Sequence, residues 1–484
     1  MSIAEVTPTI KHADLSEERQ AHVCHRWFLA DESNLTDVAL RYTEDLCISV
    51  ADEPNRLALK RDPELDPEEY TITIEPGTID VTASTRAGFL HALATINQLR
   101  DGPTLPTGYI SDRPRLEVRG LQLMFESVKQ LRFDDAMALL QCAARHKLNT
   151  VLMEFGDRFP FEGEHKVVAS SAALTRSQVR QLASRAQDLG IRIIPLLQSL
   201  GHLGYLLKHD QYAAVREEDE VRHQLCPLNE QSLQVWTELA EQVLELIPRC
   251  GVMHIGGDET RQLGVCPRCA QAEREMGKGG LYTTHINKVC DWLSDRGITP
   301  IIWDDILCAH PSTIERLHEA AEVMYWDYWT TCDPSPLLVA RGNSPVVVYD
   351  RHWDSDWAGE LSEVTARTLQ RFARPIDMEH DLSSEYLAAY RQYLGDQFPK
   401  AVRAMPYLEY FLDRGRRVYG APTCSGNHSN WYTLPDLPRH GENIKTCADR
   451  CIEAEAAGMI TTAWYNRSPE FLHWGILTTA EFTW

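Results

Sequence analysis

A chain of 484 residues with 48 basic and 70 acidic side chains, a formal net charge of −22, does not suit a nucleic-acid backbone or an anionic membrane surface. With 43% hydrophobic and 24% charged residues it can build a large core, yet it holds no apolar run of the roughly 18 residues a membrane span needs. Thirteen cysteines, an odd number spread thinly, point to free thiols in a reducing compartment, and Met1–Val6 lacks the basic and apolar regions of a secretory leader, so a cytoplasmic protein is expected.

Residues 1–112 read as a small α+β domain. Tyr70-Thr71-Ile72-Thr73-Ile74-Glu75 alternates, turns at Pro76-Gly77 and resumes through Thr78–Ala83, which predicts a hairpin; Gly88–Leu99 follows with helical periodicity. Residues 101–114, with Gly102, Pro103, Pro106, Gly108 and Pro114, read as a linker. From residue 115 to 484, apolar runs alternate with helical patterns. The runs are Leu116–Phe125, Thr150–Phe155, Ile191–Leu197, Val252–Gly257, Pro300–Trp303, Val323–Trp326, Val346–Tyr349, Arg417–Pro422 and Met459–Trp464, with helices such as Asp134–His146, Ser177–Leu189 and Ser232–Leu246 between them. This order predicts an α/β fold, a (β/α)8 TIM barrel, which takes eight strands. The ninth run is assigned to an insertion around 346–400, entered at Val346–Tyr349 and followed by an elaborated loop, Arg351–Trp357.

In such a barrel the chemistry lies just after each strand. The second strand ends in Glu154-Phe155-Gly156-Asp157, the third in Gln198 and Gly201-His202, the fifth in Trp303-Asp304-Asp305, the sixth in Tyr325-Trp326-Asp327-Tyr328-Trp329 and the last in Trp464-Tyr465-Asn466-Arg467. The fourth carries the densest signal: His254-Ile255-Gly256-Gly257 runs into Asp258-Glu259. Acids and indole rings at one mouth suit a sugar cleft. Two adjacent carboxyls cannot easily flank a glycosidic bond at the roughly 5–9 Å that two-carboxylate glycosidases use. They can divide the work if the substrate brings its own nucleophile, with Glu259 protonating the leaving oxygen and Asp258 orienting a 2-acetamido group. Mutual repulsion is expected to raise one of the two pKa values.

The motif His254–Glu259 resembles the signature of family 20 glycoside hydrolases, the β-N-acetylhexosaminidases, and the likeness extends over nearly the whole chain. Glu154–Gly163, Pro195–His202 and Trp303-Asp304-Asp305 are similar to the hexosaminidase D branch, and residues 70–99 to the family's small N-terminal domain. The resemblance implies Asp258 as the acetamido-orienting group and Glu259 as acid/base. It implies Arg119, the start of an Arg-Gly pair, as a contact to sugar hydroxyls, and Trp303, Trp326 and Trp464 as pocket walls. His202 is implied as a supporting polar residue, and Asp157 and Tyr328 join the substrate-binding set. Met124 stands where most secreted members have an Asp, and Leu196 and Gln198 replace their acids before Gly-His. Tyr328, Tyr349 and Tyr419 are equal candidates for the tyrosine that meets the acetamido carbonyl.

Competing readings stand beside these. Arg119 also reads as a structural salt-bridge partner. Cys266-Pro267-Arg268-Cys269 is a lone C-x-x-C without a second pair, and reads as two thiols in a loop rather than a metal site. The expectation is a retaining exo-β-N-acetylhexosaminidase that removes terminal β-linked GlcNAc or GalNAc by substrate-assisted catalysis, with no cofactor and no metal. Its rival is a catalytically inactive carbohydrate-binding homologue. A sugar or glycoconjugate is the expected partner, with no nucleic acid or membrane, and a homodimer is the general expectation for a soluble enzyme.

Overall fold

The computed structural model describes residues 6–22, 27–31, 48–49, 55–100, 104–126, 131–220, 222–341, 345–353, 361–426, 435–464 and 469–484. The loop residues 354–357 and the strand-end residues Tyr465, Asn466 and Arg467 fall outside them.

Eight parallel strands close a barrel in the order Val118–Met124, Thr150–Glu154, Arg192–Leu196, Val252–His254, Thr299–Trp303, Glu322–Trp326, Val418–Ala421 and Gly458–Ala463, the last pairing with both the seventh and the first. Strands buried on both faces read as near-continuous apolar runs, which is why all eight were visible in the sequence. Val118, Leu152, Ile194, Leu196, Ile301, Met324 and Ile460 share one buried cluster with Trp303 and Trp326, a packed interior rather than a pore. Helices Phe133–Arg145, Arg176–Asp188, Glu230–Leu246, Pro267–Ser294, Leu437–Glu453 and Pro469–Thr483 alternate with the strands. Two begin on side-chain caps that fix where the chain turns: Thr175 and Gln178 form a reciprocal capping box, and Asn229 accepts from Gln231 N. The ninth run, Val346–Asp350, lies outside the barrel in a three-stranded sheet with Leu337–Ala340 and Arg374–Ile376, between the sixth and seventh barrel strands.

The N-terminal unit is a seven-stranded mixed sheet backed by the helix Arg86–Leu99. Tyr70–Glu75 and Thr78–Ala83 pair antiparallel around Gly77, whose φ of 80° suits a residue without Cβ. The linker reading of 101–114 is corrected. Thr104–Asp112 is a strand lying between His12–His22 and Tyr70–Glu75. Its turn-forming residues serve a close approach instead: Gly108 has φ 141°, and a Cβ there would lie 2.0 Å from Asp14 O. Register shifts on the partner strand near Pro106 accommodate the proline.

A polar seam joins this unit to the amino end of the barrel. Lys147 Nζ lies 3.0 Å from Asp112 Oδ2, both side chains fully buried, and 2.8 Å from the Tyr70 hydroxyl. Burial lowers the Lys147 ammonium to about 8 against the opposing pull of Asp112. Trp484 Nε1 donates to the same Asp112 oxygen at 2.8 Å.

Candidate active site

The fourth strand is only three residues long, and the chain leaves it through Gly256 (φ 68°) and Gly257 (φ 90°). A Cβ on Gly256 would lie 1.7 Å from Gln198 Oε1, so glycine is required for the third and fourth strand ends to approach. Asp258 and Glu259 follow at the carboxyl mouth, and the Glu259 amide donates to Asp305 Oδ2 at 2.9 Å. Only five non-glycine residues among those described have positive φ, and His202 (53°) and Glu259 (48°) are two of them. Backbone strain of this kind, about 1–3 kcal/mol per residue, persists where surrounding structure holds it and gathers at functional sites.

His202, from the loop after the third strand, joins the two acids. Its Nε2 lies 3.1 Å from Asp258 Oδ2 and 3.5 Å from Glu259 Oε2, while Arg261 Nη2 holds the far oxygen of Glu259 at 2.7 Å. The Asp258 charge raises the His202 imidazole to about 11, so it is a cation at neutral pH. Burial pushes Asp258 upward, but the facing imidazolium outweighs it and holds the carboxyl below its ordinary value. The His202 contact likewise lowers Glu259, against burial and the Asp258 charge. The expected elevation of one of the pair by repulsion is therefore corrected: a cation sits between the charges. The carboxyls raised at this mouth are Asp304, through burial, and Asp305, to about 8, through burial and then the charges of Asp258 and Asp304.

His202→Gln removes what lowers both carboxyls, so both limbs of the kcat/KM–pH profile are expected to move to higher pH, by about 1 unit or more. An unmoved profile would mean that neither acid sets the limbs. For stability, a raised imidazole contributes fully below its unfolded value near 6.5, and the contribution is lost as pH climbs through about 11.

Beside the acids runs a chain of rings, all buried except the half-buried Trp464. Trp303 packs 4.5 Å from the His254 ring and 6.0 Å from Trp464; Tyr328 lies 6.2 Å from Trp464 and stacks on Trp326 at 4.9 Å. Trp329, not singled out from the sequence, extends it at 5.7 Å from Tyr328. The wall is braced from behind by Arg341, also unanticipated, which leaves the insertion sheet to pair with Asp304 at 3.0 Å, fully buried, its guanidinium 4.2 Å over the Trp326 ring. No local motif announces Arg341, because its partner sits on a separate strand end. Asp258 Oδ1, Gln198 Oε1 and Trp303 Nε1 are buried at this mouth and make no hydrogen bond within the protein. Asp157 is buried in the turn Gly156–Arg158 after the second strand, where its charge, with those of Glu154 and Glu126, bears on the Tyr205 phenol.

The three tyrosines separate. Tyr328 belongs to the aromatic wall. Tyr349 lies in the insertion sheet, against Trp353. Tyr419 donates to Glu322 Oε2 at 2.6 Å, where the sixth strand begins, away from the mouth. Arg119 is likewise corrected as a sugar contact. It is the second residue of the first strand, so it stands at the amino end, opposite the acids, fully buried. Its guanidinium grips Glu68 with two bonds of 2.7 and 3.0 Å and donates to the Lys147 and Leu116 carbonyls. A cavity of about 900 Å³ opens at that same end, lined by Glu68, Glu117, Asn149, Arg180, Arg192 and Arg249, remote from the pair.

A closed parallel barrel with paired acids, a bridging imidazole and an aromatic wall at its carboxyl mouth belongs to the class of barrel enzymes, whose active sites lie at that face. The family model described as glycosyl hydrolase family 20, catalytic domain, matches residues 134–365, and that described as glycosyl hydrolase family 20, domain 2, matches residues 15–113. The chain belongs to glycosyl hydrolase family 20. It is 31% identical over 192 residues to "Hexosaminidase D" of Bos taurus, covering 38% of this chain and 56% of that protein. Against the Homo sapiens "Hexosaminidase D" the figures are 31% over 193 residues, 38% and 40%, so the chain spans about half the length of these relatives. The crystal structure of a β-N-acetylhexosaminidase from Bacteroides fragilis superposes with a TM-score of 0.68 at 16% identity, covering 99% of this chain and 90% of that one, a likeness of fold.

Proposed function

We propose that the protein is a retaining exo-β-N-acetylhexosaminidase that removes terminal β-linked GlcNAc or GalNAc by substrate-assisted catalysis. The observation that carries this reading is the adjacency of Asp258 and Glu259 on one strand end, both touching His202. Asp258, with Oδ1 buried and unbonded, takes the acetamido N–H and turns the carbonyl oxygen toward the anomeric carbon. The carbon–oxygen bond to the leaving group breaks as Glu259 gives it a proton, and an oxazoline-type ring forms. Water then opens that ring, with Glu259 as base. The His202 contact lowers Glu259, so the form that starts the reaction is the fraction of protein with Asp258 ionised and the proton on Glu259. Tyr328 is the assigned hydroxyl for the acetamido carbonyl, and Trp303, Trp326 and Trp464 enclose the sugar and its methyl group.

A cytoplasmic, reducing setting suits the eleven cysteines of the described residues, all of them free. No described helix is long and apolar enough to cross a membrane. The test is a panel of aryl β-glycosides. Aryl β-GlcNAc and β-GalNAc are expected to turn over, and the aryl β-glucoside, which lacks the internal nucleophile, to react at least about 10²-fold more slowly. Comparable rates with the glucoside would overturn the mechanism, and binding of GlcNAc without turnover would favour the inactive carbohydrate-binding homologue.

A further inference from the structure

The fold revises the reading of Cys266 and Cys269 as two thiols in a loop, because it brings two residues of another loop onto them. After the third barrel strand the chain makes a short antiparallel return in which Arg216 bridges Leu225, Glu217 N donates to Gln224 O at 3.1 Å and Cys226 N donates to Val215 O at 2.9 Å. This return sets Glu217 and Cys226 against the start of the long helix Pro267–Ser294, where Cys266 is the N-cap and its sulfur accepts from Cys269 N at 3.3 Å. Cys226 Sγ lies 3.8 Å from Cys266 Sγ and 3.5 Å from Cys269 Sγ, and the three sulfurs and a Glu217 oxygen all lie within 4.8 Å of one another. Four ligands at about 2.3 Å from a tetrahedral zinc ion stand about 3.8 Å apart, so the sulfurs already have the required spacing.

Glu217 separates a metal site from a cluster of packed thiols. It is 1% exposed. One oxygen, Oε1, accepts the Val265 and Cys266 amides at 2.9 and 3.1 Å, while Oε2 is buried and makes no hydrogen bond. A buried carboxyl oxygen that makes no hydrogen bond, in a group packed among three sulfurs, is costly unless a cation is there to meet it. A disulfide between any two of the cysteines would leave the third thiol and the carboxylate unexplained. Thiolate-rich tetrahedral donor sets select zinc over the hard cations.

We propose that Cys226, Cys266, Cys269 and Glu217 bind one structural zinc ion that fastens the loop after the third strand to the loop after the fourth. Three cysteines and a carboxylate close the coordination shell, as structural rather than catalytic zinc sites do. The two loops it joins carry His202 and the Asp258–Glu259 pair, and they are further tied by Gln262 N to Gln224 Oε1 at 3.2 Å and by His223 Nε2 to Gln262 Oε1 at 2.7 Å. The ion would act through position alone, holding the imidazole against the acids.

The experiment measures metal rather than turnover, so its outcome is separate from that of the proposed activity. The full-length chain, purified under reducing conditions without chelator, is expected to hold about one zinc per chain by elemental analysis, and cobalt-substituted protein to give the tetrahedral and thiolate-to-cobalt bands of a three-sulfur site. Cys226→Ser and Cys269→Ser are expected to lose the zinc, with Cys142→Ser as the retaining control; if a variant does not fold, the cobalt spectrum of the unaltered protein decides. Zinc well below stoichiometric in the unaltered protein, zinc retained in both variants, or cobalt bands without thiolate character would each overturn the assignment.

Discussion

Glu259→Gln is expected to lower kcat/KM by about 10³-fold on substrates with a poor, alkoxide-like leaving group, and far less on aryl substrates whose leaving group needs little protonation. The variant keeps the shape of the side chain and its place beside His202 and Arg261 while removing the transferable proton. Asp258→Asn is expected to lose about 10³-fold on both kinds of leaving group, because misorienting the internal nucleophile weakens bond formation whatever departs. The difference in leaving-group dependence separates acid from positioning residue, which a simple loss of activity cannot do. Equal losses across leaving groups for Glu259→Gln would remove it from the role of acid.

That contrast rests on a feature visible in the sequence, namely that the two carboxyls are neighbours after a strand and two glycines. The barrel was legible for a related reason. Strands such as Thr150–Glu154 and Arg192–Leu196 are buried almost throughout, and their apolar content carries the fold whatever lies between them. What was not legible depends on contacts distant in sequence. The reversal of the expected pKa pattern comes from where His202 lands, and the loop after the third strand has no local pattern that says so. Arg341 reaches Asp304 from an inserted sheet, and Cys226 and Glu217 reach the C-x-x-C motif across the return of one loop. The strand Thr104–Asp112 was hidden because its glycine and its proline are turn formers in isolation, and only the partner strand's bulges make room for them. Arg119 is different. As the fourth of ten residues in the run Leu116–Phe125 it fell in the amino half of a parallel strand, and that signal was present in the register.

Arg119→Met tests the corrected placement directly. The guanidinium is fully buried, while its partner Glu68 retains 17% side-chain exposure and also meets His91 at 3.1 Å and Asn149. Against the upward push of burial, Arg119 holds Glu68 well below the usual carboxylate range. Removing one partner of such a pair leaves a charge in a poorly solvated place, and breaking buried pairs costs about 3–5 kcal/mol; the partial exposure of Glu68 sets the expectation near the lower value, about 3 kcal/mol. The Lys147 and Leu116 carbonyls lose their Arg119 donors as well, and Trp484 loses one of its two facing cations, the other being Lys147 at 4.3 Å. Because all of this happens at the amino end, KM for the sugar is expected to stay within about twofold while the unfolding midpoint in urea falls. A second substitution, Glu68→Gln together with Arg119→Met, removes the stranded charge and is expected to recover part of the loss, since neighbouring partners are not additive. If instead KM rises tenfold with stability unchanged, the arginine contacts the sugar and the seam is not its role.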